Sequence, residues 1–260
     1  MSNIRIMRHA FLVGIRDFQM FWTWRTWNFG WLARILTSAA IWVLMGRLTG
    51  SPQQLDYLLI GNAAVAGVGT FAIAAAVWDR WDGVYPLLVA SPASLAPTTI
   101  GRMAVWIFHW LGSSAATFAM LILAFGWRPP LHGLLLAPVG VVLLSIGTFC
   151  LSVFLGALAG AVPALRNILI NLLTTAIIAF CGVSVPVSFW PAPVQWIAAI
   201  LPCTHGVAAI RLMMADGPAA VILYELGQEV AVAAFWLVLA LLAIDRMAER
   251  GRRDGSVEFG

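Results

Sequence analysis

The chain has 260 residues, 62% of them hydrophobic and 10% charged, with a mean hydropathy of +0.92. A water-soluble domain carries roughly 25% charged residues, so this composition excludes a soluble protein and predicts an integral membrane protein. The net charge of +4 comes from arginine alone; without lysine the Gly-x-x-x-x-Gly-Lys-Ser/Thr phosphate loop cannot form, and any ATP must be bound by another polypeptide.

At the amino end, Ile4, Met7, Phe11, Ile15, Phe18 and Trp22 recur every three or four residues, while Arg5, His9 and Arg16 fall on another side. This pattern predicts an amphipathic helix over 1–25. It would lie along the inner interface, apolar stripe in lipid and arginines toward anionic headgroups. A short apolar core with a small-residue cleavage site, the mark of a signal peptide, is missing. Six apolar runs of spanning length follow, near Trp27–Leu48, Tyr57–Trp78, Pro97–Gly126, Gly133–Ala161, Asn167–Val185 and Ala219–Ile244. The expected fold is therefore an all-α membrane protein of six transmembrane helices. With both termini cytoplasmic, eleven arginines fall inside and three, Arg47, Arg128 and Arg211, outside, which satisfies the positive-inside rule. Arg34 lies within the first run and is expected to snorkel toward the inner face. The basic excess thus sits at span ends, which is no nucleic-acid footprint.

The inner loop over 79–96 carries a short apolar patch, Val84, Leu87, Leu88 and Val89. A helix from about Asp82 to Ala90 would present leucines to the cytoplasm, a feature of docking sites; the alternative is a turn packed on the membrane surface. His109, beside Trp106 and Trp110, is an ionisable group inside the third run, expected to be packed and neutral. Gly156 and Gly160 permit close helix approach, within the chain or between chains. Cys150, Cys181 and Cys203 have no metal or redox spacing and read as small apolar residues.

The stretch over 186–215 is apolar enough to span but holds Pro186, Pro191, Pro193 and Pro202. The prolines predict that Pro186 ends the fifth helix. Next comes a short helix over Pro193–Ile200, a break at Pro202 and a second helix over His205–Met213. Irregular backbone survives at membrane depth only when buried in protein or lining a cavity. A re-entrant hairpin between the fifth and sixth spans meets that condition; a pair of helices lying on the outer surface is the alternative. The tail over 246–260 is expected in the cytoplasm.

Several of these stretches fit one pattern in order and spacing. Asp82, Gly83, Leu87, Leu88, Ser91 and Pro92 match an inner-loop pattern of acidic residue, Gly-Thr-Leu-Glu-x-Leu-Leu-x-Ser/Thr-Pro, departing from it at Val84-Tyr85-Pro86. LGALAGAVPALRN at Leu155–Asn167, CGVSVP at Cys181–Pro186, PAPVQ at Pro191–Gln195 and LPCTHGVAAIR at Leu201–Arg211 follow. In these features the chain resembles the permeases of type-2 ABC exporters, which include antibiotic, nodulation-factor and polysaccharide exporters. The resemblance implies a single transmembrane domain in a bacterial cytoplasmic membrane. It also implies a second permease chain, identical or paralogous, and two copies of an ATP-binding-cassette subunit that hold the ATP and Mg. It assigns ATPase coupling to Asp82, Gly83, Val84, Leu87, Leu88, Ser91 and Pro92. The second and fifth spans would face the pathway, through Asn62, Phe71, Asn171, Thr174, Thr175 and Phe180. An outer gate would use Phe189, Trp190, Trp196, Pro202, His205 and Arg211, with Arg211 toward the outer interface.

A membrane enzyme would need a catalytic constellation, and the sequence offers no paired intramembrane carboxylates, His-rich cluster or nucleophile beside a base. A passive channel is the other competing class. The apolar, aromatic middle favours a lipophilic drug- or antibiotic-like substrate over a polysaccharide, lipid or lipid-linked glycan.

Overall fold

The computed structural model describes residues 3–67, 73, 83–91, 94–161 and 163–254. Among them the regular structure is all helical. In chain order the helices are α1 (Asn3–Phe21), α2 (Thr26–Leu48), α3 (Pro52–Val65), α4 (Tyr85–Ala90) and α5 (Ala96–Leu123, jointed at Ala104). They continue with α6 (Leu131–Ala161), α7 (Arg166–Phe180), α8 (Ala192–Ile200), α9 (Thr204–Met214) and α10 (Ala219–Asp254). Four of these, α2, α5, α6 and α10, are long and apolar enough to cross a membrane, and α8 with α9 form an apolar pair bent by 89°. The expected second span is described continuously through α3 to Gly67 and beyond that only at Ile73, so most of its second half lies outside the described residues.

Paired residue numbers give the helix directions. Trp27 Nε1 donates to His109 Nδ1 at 3.1 Å and Trp31 Nε1 to the Ser113 hydroxyl at 3.2 Å. Both numbers rise together, so α2 and α5 run parallel. Ser114 donates to the Ala63 carbonyl at 2.8 Å, and a Cβ on Gly67 would lie 2.4 Å from the Trp110 carbonyl oxygen. Here one number rises as the other falls, so α3 is antiparallel to α5. Gly147 meets Glu229 and Ala233, and Gly160 meets Met247. Hence α6 and α10 are parallel, and Gly160 serves a seam within the chain.

The first turns of α2, Thr26–Leu32, are a π-helix. Such segments are rare and concentrate at functional places. This one turns both Trp27 and Trp31 toward α5. His109 is buried among Phe18, Trp22, Trp27, Trp31 and Trp106, with ring centroids 5.2–6.3 Å away. Because Nδ1 accepts the Trp27 N–H, that nitrogen carries no proton of its own.

α1 packs on α5 through part of its apolar stripe, while Ile4 and Met7 of that stripe are exposed. Its arginine side is exposed, but Phe11 and Phe18 pack on Phe108 and Trp106 of α5 instead of facing lipid alone. Rings packed at 4.5–7 Å gain beyond area burial, which favours this seating of Phe11 and Phe18. Small residues set the crossing: a Cβ on Gly14 would lie 2.2 Å from the Arg102 carbonyl oxygen, and one on Gly101 2.4 Å from that of Met7. An Asp17–Arg102 ion pair closes the same seam. Gly14→Leu is expected to part α1 from α5, at a cost of about 1–3 kcal/mol for overpacking. A lower melting temperature of the detergent-solubilised protein checks it, and an unchanged one refutes the backbone contact.

α7 ends early. The prolines placed its end at Pro186, whereas the helix stops at Phe180 and the chain turns at Gly182, whose φ is +71°. That backbone region suits glycine, and the carbonyls it exposes are taken by a distant arginine, described below.

Candidate functional site

Helices α2, α3, α5 and α7 enclose a cavity of about 320 Å³. Ile35, Ala39, Trp42, Val65 and Ile177 give it apolar walls, and Arg34, Ser38, Asn62, Thr117 and Thr174 bring polar groups to it. Asn62 Nδ2 donates to the Leu58 carbonyl, Thr117 to that of Ser113 and Thr174 to that of Ile170, all at 2.9–3.0 Å. Both hydroxyl donors and one of the two Asn62 N–H groups are used inside their own helices. The expected pathway set is thus split. Asn62 and Thr174 meet here, Asn171 and Thr175 are exposed elsewhere on α7, and Phe180 packs on Trp190 with centroids 5.4 Å apart. Phe71 lies outside the described residues. Arg34, Ser38 and Thr117 were not anticipated; Arg34 carried the signal, as a cation within an apolar run.

Beside the cavity stands the bent pair α8–α9. Its helices begin and end within one residue of the sequence expectation, and the break falls at Pro202. The bend touches α6 at Gly147 and Thr148, midway along that 31-residue helix. From there α9 climbs antiparallel to α6, Gly206 meeting Leu144 and Gly133 meeting Met213 and Met214. Cys203 has a φ of +83°, a left-handed conformation that costs a non-glycine residue roughly 1–3 kcal/mol. The surrounding contacts hold it there. The Cys203 N–H donates to Glu229 Oε1 at 3.0 Å and the Gly206 N–H to Oε2 at 2.8 Å. Glu229, on α10, is fully buried, and it satisfies amide groups that a helix start leaves orphaned. One turn earlier, Glu225 pairs with His205 at 2.7 Å. The carbonyls ending α8 are taken as well: Thr204 donates to Ala198 at 2.6 Å and Trp236 to Ile200 at 2.7 Å.

These contacts overturn one expectation. Paired carboxylates do exist in an apolar helix, and the sequence reading passed over them although Glu225 and Glu229 interrupt an apolar run. They cap and clamp a hairpin, which is structural work and no catalytic constellation. Arg211, expected toward the outer interface, is held between the start of α3 and the turn after α7. Its guanidinium donates to the carbonyls of Gly182 at 2.6 Å, Val183 at 2.9 Å and Tyr57 at 2.9 Å, and lies 3.5 Å from the Tyr57 ring centroid. Tyr57 adds a hydroxyl bond to Gly182 at 2.8 Å. One side chain therefore fastens α9 to α3 and to the turn after α7. Of the other expected gate residues, Pro202 is buried at the bend, Trp190 donates to the Ala179 carbonyl at 3.1 Å, and Phe189 and Trp196 are exposed.

A family model described as ABC-2 type transporter matches residues 11–215. The chain belongs to the ABC-2 type transporter family. No curated protein matches it. As a member of this permease family the chain is the transmembrane component of an ABC transporter and a multi-pass membrane protein, of a kind that typically works with an ATP-binding-cassette subunit.

In this ABC-2 permease the expected coupling residues lie on and around α4. The helix is shorter than the sequence reading had it, beginning at Tyr85 with Pro86 in its first turn, a position that suits proline. Tyr85 and Val89 are buried against the body, whereas Val84 and Leu87 are exposed, Leu87 to 72%. Leu88 is half-buried, Gly83 precedes the helix with a φ of +67°, and Asp82 and Pro92 lie outside the described residues. Arg252, near the end of α10, donates to the carbonyls of Val89 at 3.0 Å and Ser91 at 2.9 Å. Sequence alone gave no hint of that clasp, because the residues are more than 160 positions apart.

Proposed function

We propose that this permease is the membrane-spanning half of an ATP-driven exporter that moves a lipophilic small molecule out across a bacterial cytoplasmic membrane. In this reading the chain crosses six times with both termini inside. It pairs with a second permease chain, and two ATPase subunits dock beneath α4 and carry the ATP and Mg. The alternating helix directions support the six crossings. The depth at which α8–α9 bends, halfway down α6, supports a re-entrant lid over the outer mouth.

The observation that carries the substrate reading is the cavity holding Asn62 and Thr174 between four helices. Its volume is at the low end of drug-sized pockets, roughly 300–1,000 Å³, which favours one small molecule over a polymer. Thr174→Trp would fill it. In inside-out vesicles containing the permease and its ATPase, that variant is expected to lower ATP-dependent accumulation of lipophilic dyes at least about tenfold, the effect of about 1.4 kcal/mol, while still binding the ATPase. Accumulation that needs no ATP, or that the tryptophan leaves untouched, contradicts the proposal.

A further inference from the structure

Arg34 stands out on the cavity wall, where it is exposed in the single chain. It is the ninth residue of a helix that starts at Thr26. Its guanidinium lies 4.5 Å from the Trp31 ring centroid, and among the described residues it has no hydrogen-bond acceptor and no carboxylate. Among the described residues no acidic side chain lines the cavity. A cation inside a span is expensive and is nearly always paired with an anion or with backbone carbonyls. Arg211 shows how this protein meets that demand elsewhere, with three carbonyls on one guanidinium. Arg34 has only a ring face, which orients the planar fork without occupying its donors.

The remaining polar groups narrow the chemistry. Thr117 and Thr174 have spent their hydroxyl donors on their own helices and Asn62 one of its two amide N–H groups, so they offer oxygen to a ligand hydroxyl or amine. Among the described residues, Arg34 supplies the one charged donor at the cavity, beside the neutral Ser38 hydroxyl, the Trp42 indole N–H and the second Asn62 amide N–H. Between them the walls are apolar, with Trp42 as a flat surface. A cationic ligand would meet an uncompensated positive charge here, and a purely apolar one would leave it unpaired.

We propose that the cavity takes an amphipathic molecule bearing an acidic group, a carboxylate or phosphate, which pairs with Arg34. The proposal rests on the reading of this cavity as the transport path. The same chemistry has two sources, a free amphiphile carried as cargo or an anionic phospholipid drawn in by its headgroup, and transport separates them.

The test uses the full chain with its ATPase. Dodecyl phosphate and dodecan-1-ol are titrated onto the complex in uncharged detergent, with bound molecules counted by native mass spectrometry. Dodecyl phosphate is expected to bind at least tenfold tighter than the alcohol. Arg34→Gln should remove that preference and Arg34→Lys keep most of it, so that a folding defect is told apart from a lost charge. Equal binding of acid and alcohol, or a preference that survives Arg34→Gln, overturns the proposal. Inside-out vesicles of zwitterionic lipid then assign the source. ATP-dependent accumulation of dodecyl phosphate identifies a free cargo, and translocation only of a fluorescent phosphatidylglycerol identifies the lipid. If neither moves while Arg34-dependent binding persists, the anion site stands and the transport-path reading falls.

Discussion

Glu229→Leu is expected to cost the protein about 2–5 kcal/mol and to release the α8–α9 hairpin. The wild-type carboxylate is fully buried and accepts two amide groups at the start of α9. Leucine fills a similar volume but accepts nothing. Each orphaned buried donor costs about 1–3 kcal/mol, and the cap itself holds Cys203 in its left-handed conformation. The favourable interaction of a negative group with a helix start is lost at the same time. Glu229→Gln keeps one acceptor oxygen and should fall between the two. The check is a melting curve of the detergent-solubilised protein together with labelling of a cysteine introduced at Trp196 in the intact membrane. A Leu variant with wild-type melting and wild-type labelling would show that the cap does not hold the hairpin.

Leu87→Asp is expected to abolish transport while leaving the permease folded. Leu87 is exposed on α4, and the residues that fix the helix to the body are Tyr85 and Val89 on its other side. The substitution therefore leaves the core alone and changes only what an incoming partner meets. A charge in the centre of an apolar contact costs about 2 kcal/mol or more, as truncation of a hot-spot residue does, which is about thirtyfold in affinity. Purified Leu87→Asp should melt like wild type, recover less ATPase on co-purification and accumulate substrate at background level. Full recovery of both ATPase and transport would remove α4 from the docking surface.

What could be read in the sequence was what neighbouring residues decide. Pro193 and Pro202 mark a helix start and a break by local geometry, so α8 and α9 were legible almost to the residue. The Gly160 seam could be anticipated, though its partner Met247 could not. What could not be read involves partners far along the chain. The α1 stripe is amphipathic whether it faces lipid or Phe108 and Trp106. The end of α7 depends on Gly182 and on Arg211, 29 positions later. Glu229 reads as an awkward charge until the amides of Cys203 and Gly206 are brought against it. Of the cavity, Asn62 and Thr174 were legible as polar residues in spans, but the company of Arg34, Ser38 and Thr117 follows only from packing.

α10 runs 36 residues without a break, about 54 Å. Near one end Arg252 clasps the carbonyls of Val89 and Ser91; toward the other, Glu225 and Glu229 grip the hairpin. A continuous helix of this kind neither stretches nor folds without losing its own bonds, so a shift at one end must appear at the other. Coupling of binding free energies is reciprocal. In the orientation proposed above, a molecule held at the hairpin would bear on the α4 face as directly as a partner on α4 bears on the hairpin, which would make the outside of the cell a place from which this permease can be addressed.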